Sequence, residues 1–128
     1  MNNIKSVSKL VDEALSEVKT ISPDEALELL KNQKCNLIDI RDSQELEATG
    51  KIENSINISR GLLEFGLNPE GQYIKNNLID LNKETVLFCA AGGRSALAAK
   101  TLKDMGFEKV SHVEGGFALM KSAGFKIT

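Results

Sequence analysis

The junction at residues 85–95, which reads Thr-Val-Leu-Phe-Cys-Ala-Ala-Gly-Gly-Arg-Ser, constrains this chain more than any other stretch. Thr85, Val86, Leu87 and Phe88 are strand formers, whereas residues 95–105 favour helix. Only a tight turn fits between them. Gly92 and Gly93 can take positive φ without steric cost, so the backbone can curl and aim several N–H groups at one point. That point is the sulfur of Cys89, where the strand ends. The following helix adds a partly positive N-terminus and Arg94 adds a full charge, surroundings that favour a thiolate and make Cys89 a nucleophile. The same donors suit an anionic group on that sulfur, whether a persulfide or a bound oxyanion.

The rest of the chain sets the frame for this junction. A length of 128 residues fits one domain, in which about two-thirds of the unfolded surface can be buried. Sixteen basic and 18 acidic residues leave a net charge of −2, which gives no electrostatic case for nucleic acid or for a membrane surface. Two cysteines are too few for a disulfide framework and read as thiols in a reducing compartment. Residues 1–10 lack the apolar stretch of a signal peptide and no run is long enough to span a bilayer, so the expected location is cytoplasmic.

Val7, Leu10, Val11, Ala14, Leu15 and Val18 recur at three- and four-residue steps, which predicts an amphipathic helix over residues 6–18. It is expected to pack on the chain's own sheet rather than on a partner, dividing the chain into an N-terminal helix, 1–20, and a domain, 21–128. Ser22, Pro23 and Glu25 form a helix start, with Ser22 as cap, Pro23 first in the helix and Glu25 closing a capping box. A strand follows over residues 36–40, Asp42 is placed to cap a helix over 43–48, and residues 66–84 read as polar and turn-rich. After the junction comes a small-residue helix ended by Gly106, then a strand over 109–113 and a helix over 117–122. Strands alternating with helices give an α/β fold, a mostly parallel sheet covered on both sides.

The loop Cys89-Ala90-Ala91-Gly92-Gly93-Arg94 resembles the active-site loop of the rhodanese family, the single-domain sulfurtransferases that include thiosulfate sulfurtransferase. Two further segments agree in order. Asn36-Leu37-Ile38-Asp39-Ile40-Arg41-Asp42 resembles the family's early strand, and Val113-Glu114-Gly115-Gly116-Phe117 resembles the double-glycine start of its last helix. The family's histidine and turn proline are replaced in Gly50-Lys51-Ile52-Glu53-Asn54, and Met120 stands where a tryptophan is frequent.

The resemblance implies a three-layer α/β/α fold with about five strands and a sulfur transfer without cofactor or metal. Cys89 would be catalytic, and Ala90, Ala91, Gly92, Gly93 and Arg94 would bind the anionic sulfur. The donor would be thiosulfate or a similar small molecule, and the acceptor cyanide, a thiol or a protein. Four residues separate Cys89 from Arg94, whereas cysteine-dependent phosphatases carry one more; the smaller ring suits sulfur. The alternatives are a non-enzymatic sulfur carrier, a rhodanese-fold arsenate reductase or phosphatase, and a redox sensor that pairs Cys89 with Cys35.

Other residues carry readings of their own. Asp39 and Arg41 are expected to pair, and the resemblance implies that they lie behind the site in a supporting role. Arg60 is a substrate-binding candidate as an attractor of anionic donors, with a solvated surface arginine as the alternative. His112 reads as structural and Cys35 as a packed, unreactive thiol.

Overall fold

The computed structural model describes residues 2–128. Helix α1 (Val7–Leu15) is followed by strand β1 (Lys19–Ile21), helix α2 (Pro23–Lys31), strand β2 (Cys35–Asp39), helix α3 (Ser43–Thr49) and strand β3 (Ile56–Asn57). A 3₁₀ turn at Arg60–Leu62 leads into the short helices α4 (Leu63–Leu67) and α5 (Gln72–Lys75). The chain ends with β4 (Glu84–Phe88), α6 (Gly93–Asp104), β5 (Val110–Val113) and α7 (Gly116–Ala123).

The five strands form one sheet in the order β1-β5-β4-β2-β3, and every pairing between them is parallel. Its two faces bury separate clusters. Ile38, Ile40, Leu87 and Cys89 meet Ala98, Ala99 and Leu102 of α6 on one side. Leu37, Val86, Phe88 and Val113 meet Ala26 of α2 and Phe117 and Met120 of α7 on the other. Alternation along β4 therefore turns Leu87 and Cys89 toward α6 while Val86 and Phe88 face the opposite layer.

Topology places the site. The chain leaves β2 toward β3 but leaves β4 toward β5, in the opposite direction across the sheet. Such a switch opens a crevice at the carboxyl ends of the two central strands. The starts of α3 and α6 border it.

Several local signals act as the sequence predicts. Ser22 Oγ accepts from the Glu25 N–H at 3.1 Å while the Glu25 carboxylate accepts from the Ser22 N–H at 3.3 Å, the reciprocal cap of α2. Other stretches differ. Helix α1 stops at Leu15 rather than at residue 18: Ser16 Oγ donates to the Glu13 carbonyl at 2.6 Å, and Lys19–Ile21 pair with β5 as an edge strand. Those three residues, divided by the sequence reading between helix and domain, belong to the central sheet. Of the apolar stripe on α1, Ala14 is buried, but Val7, Leu10 and Leu15 remain exposed. The polar 66–84 stretch buries Leu67 and Ile79 and contains α5, whose four residues are too few to show a period.

Candidate functional site

Cys89 follows the last residue of β4 and lies under the first turn of α6, 1% exposed. A helix leaves its first N–H groups without intrahelical partners, and here two of them turn to the sulfur. Sγ accepts from the Gly92 N–H at 3.1 Å and from the Ser95 N–H at 3.3 Å, with the Ser95 hydroxyl at 3.6 Å. Gly92 makes this possible with φ +108°, which bends the chain back over the cysteine.

The sequence reading spreads the donors over residues 90–94 and gives positive φ to both Gly92 and Gly93. In the structure Gly92 alone of those five donates to Sγ, Gly93 is already helical, and Ser95 supplies the second amide. The reason is geometric. Amides of a first helical turn fan around the axis by about 100° per residue, so one atom beside the axis meets only those on its side. The N–H groups of Gly93 and Arg94 have no intrahelical acceptor, since the first intrahelical bond is Ala96 N–H to Gly92 O.

The second glycine motif fixes the loop from below. Phe117 N–H donates to the Cys89 carbonyl at 2.8 Å, and a Cβ at Gly116 (φ +59°) would overlap that same carbonyl oxygen. Only glycine lets the start of α7 approach the reactive loop so closely.

Arg94 is differently placed than the sequence implies. Its guanidinium donates both to Glu45 Oε1 at 2.9 Å and to Glu45 Oε2 at 2.8 Å, across the crevice from α3. The Arg94 bonds, with help from the Asp42 N–H, outweigh burial and hold the Glu45 carboxyl at about 2. Arg94 is correspondingly raised, first by that pairing. Its charge is thus matched by a carboxylate, and the electrostatics at Cys89 rest chiefly on amides. Glu45 was not singled out by sequence; its position three residues after the cap Asp42 was the available signal.

Behind the site, Asp39 and Arg41 form a buried fork, with Arg41 Nε and Nη2 on the carboxylate at 2.8–3.1 Å. The guanidinium also donates to Thr49 Oγ1 and the Gly50 carbonyl and lies 4.0 Å from the Phe117 ring centroid. It ties the end of β2 to α3 and α7. Arg60 is paired with Glu64 at 2.6 Å, reaches Thr101 of α6, and is not among the residues that line the Cys89 cleft.

That cleft, about 540 Å³, is lined by Cys89, Ala91, Arg94 and Leu97 on one side and by Val7 and Val11 of α1 on the other. Helix α1 therefore forms one wall of the mouth above the sulfur. A larger cleft of about 870 Å³ beside Asp42, Leu62 and Phe65 contains no thiol and no histidine. Cys35 lies at the other end of the sheet, pushed up to about 11 chiefly by burial. It pairs with Glu84, five residues before Cys89, so roughly 16 Å of strand separates the thiols at ~3.3 Å per residue. A disulfide requires Cα atoms within about 7 Å, which removes the redox-pair alternative. His112, buried and lowered by that burial, bonds Ser95 Oγ through Nδ1 at 3.0 Å and Thr20 Oγ1 through Nε2 at 2.9 Å. Among the described residues no group of three His, Cys, Asp or Glu side chains is arranged to hold a metal, and no helix is long and apolar enough to cross a membrane.

The pattern that defines the rhodanese-like domain matches residues 22–123. The chain belongs to the rhodanese-like family. Thiosulfate sulfurtransferase GlpE of Pseudomonas putida is 34% identical to it over 108 residues, covering 84% of this chain and 89% of that protein. Among solved structures, a Rhodopseudomonas palustris protein of unknown function, described as a possible tyrosine phosphatase, is 39% identical with a TM-score of 0.88. That alignment spans 100% of this chain and 98% of the other. The polysulfide-sulfur transferase homodimer of Wolinella succinogenes is 34% identical with a TM-score of 0.73, over 93% of this chain and 84% of that one. The rhodanese-like match begins at residue 22, so α1 and its wall of the cleft lie outside it.

Proposed function

We propose that this rhodanese-like chain is a sulfurtransferase that moves sulfane sulfur from thiosulfate or a similar donor to cyanide, a thiol or a protein, through a persulfide on Cys89. In the first step the Cys89 thiolate attacks the outer sulfur of thiosulfate; the S–S bond breaks and sulfite leaves with the bonding pair. Reactants and products both carry three negative charges, so no proton or external electron is needed. In the second step the acceptor attacks the outer sulfur and Cys89 departs as the thiolate.

One observation carries the reading: Sγ already has two amide donors, from Gly92 and Ser95, while the amides of Gly93 and Arg94 are left for one more anionic atom. An outer persulfide sulfur is such an atom. The names of the Pseudomonas and Wolinella relatives support the same chemistry.

The description of the Rhodopseudomonas neighbour raises phosphate-ester hydrolysis as the rival. Two features favour sulfur over phosphate: the short spacing from Cys89 to Arg94, and the engagement of both Arg94 donor arms by Glu45 rather than by a site for a tetrahedral anion. Assays of thiosulfate:cyanide transfer and of aryl-phosphate hydrolysis on the same sample decide between them. Thiocyanate formation without phosphate release is expected; phosphate release without thiocyanate would overturn the proposal.

A further inference from the structure

His112 is the single histidine of the sequence, and both of its ring nitrogens are engaged. Register explains the arrangement. On the sheet, His112 of β5 lies beside Thr20 of β1 and Leu87 of β4, on the face that carries Cys89 and packs against α6. A line of contacts then runs from Thr20 Oγ1 through the ring to Ser95 Oγ and on to Cys89 Sγ, at 2.9, 3.0 and 3.6 Å. The geometry points to His112 and Thr20 as positioning residues for Cys89: the tautomer of the buried ring decides whether the Ser95 hydroxyl gives its hydrogen to the sulfur.

Hydrogen counting leads there. Ser95 Oγ has one hydrogen and three acceptors within reach: Cys89 Sγ, the Gly92 carbonyl at 3.2 Å and His112 Nδ1. The ring is bonded by two hydroxyls, Thr20 and Ser95, and by no charged group, so it is neutral and exists in two forms. With its hydrogen on Nε2, the ring donates to Thr20, and Nδ1 takes the Ser95 hydrogen. The sulfur then keeps only its two amides. With its hydrogen on Nδ1, the ring donates to Ser95 Oγ, Nε2 accepts from Thr20, and the Ser95 hydrogen is free to turn to Sγ.

A thiolate makes stronger hydrogen bonds than a neutral sulfur and so selects the Nδ1–H form. Once Cys89 carries a second sulfur, the charge moves to that outer atom and Sγ becomes a neutral bridge. The pull on Ser95 relaxes, and the Nε2–H form competes again. The third hydrogen bond therefore grows as Cys89 leaves in the sulfur-releasing step, where it lowers the barrier. This function rests on the sulfur-transfer reading; the coupling between the ring and the state of the sulfur does not.

The test labels the one histidine with ¹⁵N and reads both ring nitrogens in unmodified protein above the midpoint of Cys89 ionisation and in protein alkylated at Cys89 with iodoacetamide. Expected are the Nδ1–H form before alkylation and a shift toward Nε2–H after it; the same tautomer in both states overturns the proposal. Ser95→Ala supplies a second reading. It keeps both ring nitrogens of His112 and removes the hydroxyl that links them to Sγ, so alkylation should leave the tautomer where it was; a shift as large as in wild type would contradict the relay. Neither readout needs turnover. Their failure with normal thiosulfate:cyanide transfer removes the relay alone, and their success without transfer removes the sulfurtransferase reading alone.

Discussion

Cys35 and Cys89 occupy neighbouring strands of one sheet, yet their backbones leave them with opposite chemistry. Cys35 opens β2, where ladder bonds to β4 engage the surrounding backbone, and burial pushes its thiol up to about 11. Cys89 lies one residue beyond β4, where the ladder has stopped and a helix is starting, so amides with no other partner converge on its sulfur. Both thiols are largely out of water. What separates them is the supply of unpaired donors, and that supply exists only where a strand hands over to a helix.

The comparison can be broken most severely by substitution. Cys89→Ser should lower thiosulfate:cyanide turnover by roughly 10³-fold or more, whereas Cys35→Ser should stay within about twofold of wild type. A comparable loss in both variants would dissolve the distinction. Alkylation sharpens it without turnover: with its thiol near 11, Cys35 holds only about one part in a thousand as thiolate at pH 8, so the single adduct there should map to Cys89. A majority of adduct on Cys35 would contradict the assignment.

Smaller effects probe how the donors are held. In Gly116→Ala a methyl group meets the Cys89 carbonyl at a positive φ; a loss of about 1–3 kcal/mol is expected, with Cys89 alkylation slowed roughly tenfold. Gly61→Ala, which has open space around it, should behave as wild type in both measurements. Glu45→Gln should weaken the hold on Arg94 and lower KM for thiosulfate a few-fold with little change in kcat, because a less neutralised guanidinium borders the cleft. An unchanged KM would mean that Arg94 does not meet the donor.

The sequence displayed what local chemistry controls. The strand-cysteine-glycine-helix junction, the reciprocal cap of Ser22 and Glu25 and the glycine pair before α7 each follow from residues within six positions of one another, and each is present. The parallel α/β fold followed from their alternation. Contacts between distant segments were not visible. Glu45 meets Arg94 49 residues away, and Thr20 meets His112 92 residues away, pairings set by strand order rather than by spacing. Three-residue β1 and four-residue α5 were too short to show a period, and α1 gave no sign that Val7 and Val11 would border the cleft. The loop residues pointed to amides around the sulfur, but of positions 90–94 only Gly92 donates to it and Ser95 supplies the other, a choice set by the placement of the helix axis that no local pattern carries.

Intact mass before and after brief treatment with thiosulfate tests the central claim most directly. A gain of one sulfur mass, mapped to Cys89 and removed by cyanide, is the predicted result. Thiocyanate production by a protein whose Cys89 never acquires the added sulfur would contradict it.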